Sequence, residues 1–178
     1  VAEPETPLMF IDRVLVTAES YRIPAEIIFN KMDILDQDQE ELAEAYKYLY
    51  ESIGYPVMLI SATTGQNLDQ VMAKMKNKTS VIVGQSGVGK STLLNKIEPG
   101  LELKIGDISS AHQQGKHTTT FAEMHHLSFG ADIIDTPGIR SFGLVEVERE
   151  EELSHFFPEI FKAGQSCRFH NCTHTHEP

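Results

Sequence analysis

Ser80-Val81-Ile82-Val83-Gly84-Gln85-Ser86-Gly87-Val88-Gly89-Lys90-Ser91-Thr92 is the stretch that decides the fold. Its first four residues are of buried-strand type and run straight into a glycine-rich loop. A helix starts near Gly89 and stops around Pro99-Gly100. Gly84 to Ser91 fits G-x-x-x-x-G-K-[ST] in the strand–loop–helix setting that the motif requires. Glycines at this spacing let successive backbone N–H groups turn inward as an anion nest. The following helix adds its N-terminal dipole and unpaired donors. Lys90 is placed to reach β- and γ-phosphates, the Ser91 hydroxyl to ligate Mg²⁺, and Thr92 to complete the phosphate-contacting run. An α/β sheet of the P-loop class, binding a nucleoside phosphate, is the expectation.

Three further motifs sit at predicted strand ends. Ile133-Ile134-Asp135-Thr136-Pro137-Gly138 ends a buried strand in D-x-x-G, which puts Asp135 near a Mg²⁺-bound water and the Gly138 N–H near the γ-phosphate. Asn30-Lys31-Met32-Asp33 follows the strand Glu26–Phe29 and has the chemistry of a guanine reader. The Asp33 carboxylate accepts from guanine N1–H and the 2-amine. Adenine lacks both donors and would leave the carboxylate unpaired in a buried pocket. Asn30 and the Lys31 stem brace the base and the phosphate loop. Ser61-Ala62-Thr63, after the strand Val57–Ile60, offers a backbone N–H to guanine O6. In a doubly wound sheet such strand ends converge on one crevice.

The remaining pattern alternates helix and strand. Helices are expected over Leu8–Arg22, Asp38–Ile53 and Asn67–Met75. A hairpin is expected from Phe121–Phe129 and Ala131–Ile134, with its turn near Ser128–Gly130. His125-His126 lies in that hairpin and reads as an ordinary core or surface pair. Gly100 to Thr119 is a long polar loop of the functional kind. An acidic stretch over Glu146–Glu152 opens a helical region, which divides the chain into a domain over 1–145 and a C-terminal region over 146–178.

The 178 residues are 40% hydrophobic and 23% charged, as in globular chains. With 26 acidic and 15 basic residues the net charge is −11, which excludes a surface that grips phosphate backbones throughout. No apolar run spans a bilayer, and Val1–Pro7 lacks the features of a signal peptide. A start without Met suggests a processed or trimmed chain. The expected compartment is cytoplasmic, with no membrane and no DNA partner, and the expected state is monomeric.

The base-reading motifs precede the P-loop and D-x-x-G, the reverse of the order in Ras-like GTPases. With Gly115-Lys116-His117-Thr118-Thr119-Thr120 and the cysteine-containing tail Cys167–Pro178, these motifs resemble the circularly permuted bacterial ribosome-assembly GTPases called RsgA or YjeQ. The resemblance extends over nearly the whole chain. It implies a P-loop three-layer α/β sandwich of permuted topology, with a small C-terminal helical zinc-binding region. It also implies hydrolysis of GTP to GDP and phosphate in late small-subunit maturation. The implied partner is the small ribosomal subunit and its rRNA, through the C-terminal region and an N-terminal oligonucleotide-binding barrel that this chain lacks. Permutation leads the segment after Gly138 directly into the C-terminal region, an expected route for transmitting nucleotide state.

Within that resemblance, His117-Thr118-Thr119 looks like switch I. Thr118 or Thr119 closes on Mg²⁺ and the γ-phosphate, with Ser91 and Thr118 the expected magnesium pair. Ile139 stands where Ras-like enzymes carry a water-orienting glutamine, so the resemblance makes His117 the catalytic candidate. Arg140 reads as a surface contact. Cys167, Cys172 and His174 have the ligand type and spacing for structural zinc. The family's fourth ligand is a cysteine beyond Pro178, and His176 or His170 is the alternative within the chain. A guanine-nucleotide-dependent binding switch with negligible hydrolysis is the competing reading. A P-loop small-molecule kinase is a third, for which N-K-x-D has no purpose.

Overall fold

Short apolar runs that end in turn-forming residues become the strands. A computed structural model of the chain describes residues 4, 6–101, 123–135 and 153–167. Strand β1 (Ile27–Phe29) pairs in parallel with β2 (Val57–Leu59), with Ile28 opposite Met58. Strand β3 (Thr79–Val81) pairs in parallel with β5 (Ala131–Asp135). β5 also pairs antiparallel with β4 (Glu123–Leu127), which makes the expected hairpin, with Gly130 in its turn at φ +82°. His126 is exposed and meets Asp132 directly across that hairpin.

The helices follow their local signals. Helix α1 (Leu8–Ser20) starts after Pro7 and gives way to a turn before Pro24. Helix α2 (Gln37–Ser52) has a complete capping box. The Asp36 carboxylate accepts from the Gln39 N–H at 2.9 Å, and the Gln39 side chain accepts from the Asp36 N–H at 3.2 Å. Gly54, at φ +107°, turns the chain out of this helix, a backbone region glycine enters without steric cost. Helix α3 (Leu68–Met75) buries Leu68, Val71 and Met75, spaced as one helical face. Helix α4 (Lys90–Ile97) buries Leu93, Leu94 and Ile97, and α5 (Pro158–Gly164) starts with proline in its first turn.

Two cores define three layers. On one face, α3 and α4 pack through Val71, Met75, Leu93 and Leu94 against Ile60 and Ile133. On the other, Leu15 of α1 and Tyr50 of α2 pack against Ile27 and Val57. The expected α/β layering is therefore present. The sheet itself differs from the expected single one, because the described strands form two ladders, β1-β2 and β3-β5-β4. They share one layer because the core under α3 and α4 draws side chains from both, including Ile28 of β1 and Ile133 of β5. The segment Ser154–Phe156 lies beside α1 and packs against α5. The acidic stretch over Glu146–Glu152, and with it the boundary at 145/146, lies outside the described residues.

Candidate nucleotide-binding site

At the C-terminal end of β1 the chain leaves the strand through Asn30. Lys31 then adopts a left-handed conformation at φ 71°, and Met32–Ile34 forms one turn of 3₁₀ helix. The Met32 N–H donates to the Ile60 carbonyl at 3.1 Å, which fixes the turn to the end of β2. Asp33 thereby comes beside Ser61, whose hydroxyl donates to the Asp33 carboxylate. Ser61 is fully buried, and its oxygen also accepts from the Thr64 N–H at 3.1 Å. Asp33 itself is exposed in the chain. A buried pocket was the expectation from sequence, and the structure instead leaves Asp33 open at the surface.

Asn30 joins the two halves of the site. Its Nδ2 donates to the Val88 carbonyl at 3.0 Å, and its Oδ1 accepts from the Ala62 N–H at 2.9 Å. One side chain thus ties together β1, the loop after β2 and the phosphate loop. Gly89 has φ +97°, and a Cβ there would collide with the Asn30 amide. Glycine is required at 89 for conformation and for close approach, two separate reasons.

Gly84 to Gly89 links β3 to α4. The Lys90 ammonium bends back over the loop and donates to the carbonyls of Gly84 at 2.6 Å and Gln85 at 2.7 Å. Burial holds its pKa below the ordinary lysine value. Ser91 is buried in the first turn of α4, with Thr92 beside it. Together these groups fit a phosphate chain with a divalent cation: a glycine loop at a helix N-terminus, an ammonium, and a hard hydroxyl oxygen.

Asp135 closes β5, next to the P-loop strand, so the backbone brings D-x-x-G to the same end of the sheet; its side chain lies outside the described set. Gly138, His117, Thr118, Thr119, Ile139 and Arg140 also lie outside it. Cys167 follows α5 and donates its backbone N–H to the Gly164 carbonyl at 3.0 Å; Cys172, His174, His170 and His176 are outside the described residues. Among the described residues, no three His, Cys, Asp or Glu side chains converge as a metal group. No described helix is long and apolar enough to cross a membrane.

Sequence reasoning did not single out Asn67. Its Nδ2 donates to the Leu59 carbonyl at 2.8 Å, and its left-handed backbone at φ 60° turns the Ser61 loop into α3. The available signal was Gly65-Gln66-Asn67, a turn-forming cluster just before a helical face.

Residues 1–145 match the family described as RsgA GTPase. A Christiangramia forsetii protein named small ribosomal subunit biogenesis GTPase RsgA is 56% identical over 178 residues, covering 98% of this chain and 55% of its own length. A Bacteroides fragilis protein of the same name is 49% identical over 175 residues, covering 98% and 56%. The crystal structure of YjeQ from Thermotoga maritima superposes with a TM-score of 0.83 at 35% identity, covering all of this chain and 58% of that one. YloQ, described as a circularly permuted GTPase, superposes with a TM-score of 0.73 at 37% identity, covering 99% and 55%. The chain thus spans about half the length of the curated relatives it matches. By its family match and these identities, the chain belongs to the RsgA GTPase family.

Proposed function

We propose that this chain is the guanine-nucleotide-binding and GTP-hydrolysing part of a longer protein that acts in late maturation of the small ribosomal subunit. The observation that carries the reading is the double hydrogen bond of Asn30, which docks the base-reading loop onto the phosphate loop. Asp33, oriented by Ser61, accepts from the guanine N1–H and 2-amine. The Ala62 N–H is the donor for guanine O6, and a bound base competes for it with Asn30 Oδ1. The nest from Gly84 to Gly89, with Lys90, Ser91 and Thr92, holds the phosphates. Mg²⁺ held by Ser91 and Thr118 supplies charge neutralisation at the phosphoryl oxygens.

For hydrolysis, His117 orients or deprotonates the attacking water, a task that the aliphatic Ile139 has no group to perform. Thr118 and Thr119 contact the γ-phosphate side of the site, together with the Gly138 N–H and the Asp135 carboxylate. Cys167, Cys172 and His174 offer two thiolates and an imidazole, a donor set suited to tetrahedral structural zinc in a region over 146–178. The contact with the subunit and its rRNA runs through that region and through chain that the longer relatives possess. The working state is a cytoplasmic monomer.

The test is GTP hydrolysis by the full-length protein, with and without small ribosomal subunits, for wild type and His117→Ala. Stimulation by subunits should fall at least about 100-fold in His117→Ala while GTP binding persists. Undiminished stimulation removes His117 from catalysis. Ile139 favours a second reading, a nucleotide-dependent binding switch, and negligible hydrolysis with saturating subunits selects it.

A further inference from the structure

Asn67 is the N-cap of α3, yet its side chain makes no capping bond to that helix. An asparagine in this position ordinarily accepts from the second or third N–H of the helix it opens. Here the amide reaches back instead, and its Nδ2 donates to the Leu59 carbonyl at 2.8 Å. Its Oδ1 accepts from the Gln70 side chain at 3.2 Å, so both ends of the amide are committed and its orientation is set. The carbonyl it takes lies on the open edge of β2. The Ile27 N–H donates to the Pro56 carbonyl at 2.9 Å, and the Ile60 N–H donates to the Phe29 carbonyl at 2.9 Å. Successive residues of a strand alternate sides, so Pro56, Met58 and Ile60 face β1 while Leu59 faces away. Among the described strands β2 pairs with β1 alone, and Asn67 supplies the partner that this carbonyl would otherwise need from water.

The bond from Asn67 to Leu59 spans the loop that carries Ser61 and Ala62. Within that loop the Ser61 N–H donates to the Gln66 carbonyl at 3.2 Å, and the Gly65 N–H donates to the Ser61 carbonyl at 2.9 Å. These bonds close the loop on itself. From inside it the Ser61 hydroxyl donates to the Asp33 carboxylate, and the Ala62 N–H donates to Asn30 Oδ1 at 2.9 Å. Just beyond it, Leu68, Val71 and Met75 hold α3 in the core. Asn67 stands between the two, with its backbone left-handed at φ 60° and its amide on the end of β2. We propose that Asn67, oriented by Gln70, is a positioning residue for guanine selectivity. By tying the far end of the loop to β2, it sets the direction of the Ser61 hydroxyl and the Ala62 N–H, and through them the Asp33 carboxylate. It acts through these groups and not on the base itself. The phosphate nest is built on β3 and α4, so binding of the diphosphate is spared when the tie is cut. The inference rests on the guanine reading proposed above.

Calorimetric titration of the full-length protein with GDP and with ADP, for wild type, Asn67→Gly and Asn67→Asp, tests it. Glycine keeps the left-handed turn and loses the amide, whereas aspartate keeps the size and the turn and loses only the N–H donor. In both variants GDP should bind at least about fivefold more weakly while ADP affinity changes by less than about twofold, so that the selectivity ratio falls. Wild-type selectivity in either variant would overturn the inference and leave Asn67 as a left-handed turn residue. Equal losses for GDP and ADP would overturn it too, because a general loosening of the fold weakens both. A wild-type protein that binds GDP and ADP alike would remove the guanine reading and this inference with it, whereas selectivity retained in Asn67→Gly removes the inference alone.

Discussion

Asn30 and Gly89 form the tightest coupling in the site. The amide bonds to Val88 and Ala62 can form only because Gly89 has no side chain in their path. Gly89→Ala adds a methyl that collides with Asn30 and forces a non-glycine residue to φ +97°. The expected cost exceeds about 1 kcal/mol in stability. The variant should melt at a lower temperature and bind guanine nucleotide at least about tenfold more weakly, both measurable on one sample by thermal denaturation and titration. The identities of these residues were legible from motif spacing alone. Their partnership was not, because Asn30 and Val88 are 58 residues apart and only folding brings them together. The exposure of Asp33 was likewise invisible, since burial at a strand end depends on what covers it.

Among the elements, α2 has the clearest local definition. Asp36 satisfies the Gln39 N–H and Gln39 reciprocates, so the helix start depends on a pair the sequence itself displays. Asp36→Ala should cost about 1 kcal/mol, seen as a melting temperature lower by about 2–4 °C with nucleotide affinity unchanged. Helices α1 to α4 were readable from periodicity and stop signals, within the one or two residues by which helix ends ordinarily vary. The strands were less readable. Ser80–Val83 reads as one apolar run, yet the ladder spans Thr79–Val81, because pairing with β5 and not hydrophobicity sets where a strand ends. The division into two ladders could not be read at all, since periodicity carries no information on which edges meet.

At the scale of the whole molecule, α1 is tied to its neighbours by two buried phenols. Tyr50 donates to Asp12 at 3.0 Å, and Tyr55 donates to Glu19 at 3.0 Å. Burial, and then the bonded carboxylates, push both phenol pKa values far above the ordinary value of 10.0. The folded state therefore keeps both protons when the unfolded chain has lost them. Their stabilisation is complete below pH 10 and falls as pH rises above it. Urea midpoints measured from pH 8 to 11 should decline above pH 10, and less steeply in the Tyr50→Phe, Tyr55→Phe double variant. An equal slope in that variant would place the alkaline transition elsewhere.

The account as a whole depends on the N-K-x-D loop and the P-loop forming one guanine site. Calorimetric titration of the full-length protein with GDP and with ADP, repeated on Asn30→Ala, addresses that claim most directly. GDP should bind at least about 100-fold more tightly than ADP, and Asn30→Ala should weaken GDP binding by at least about fivefold. Equal affinity for the two nucleotides, or GDP binding untouched by Asn30→Ala, would contradict it.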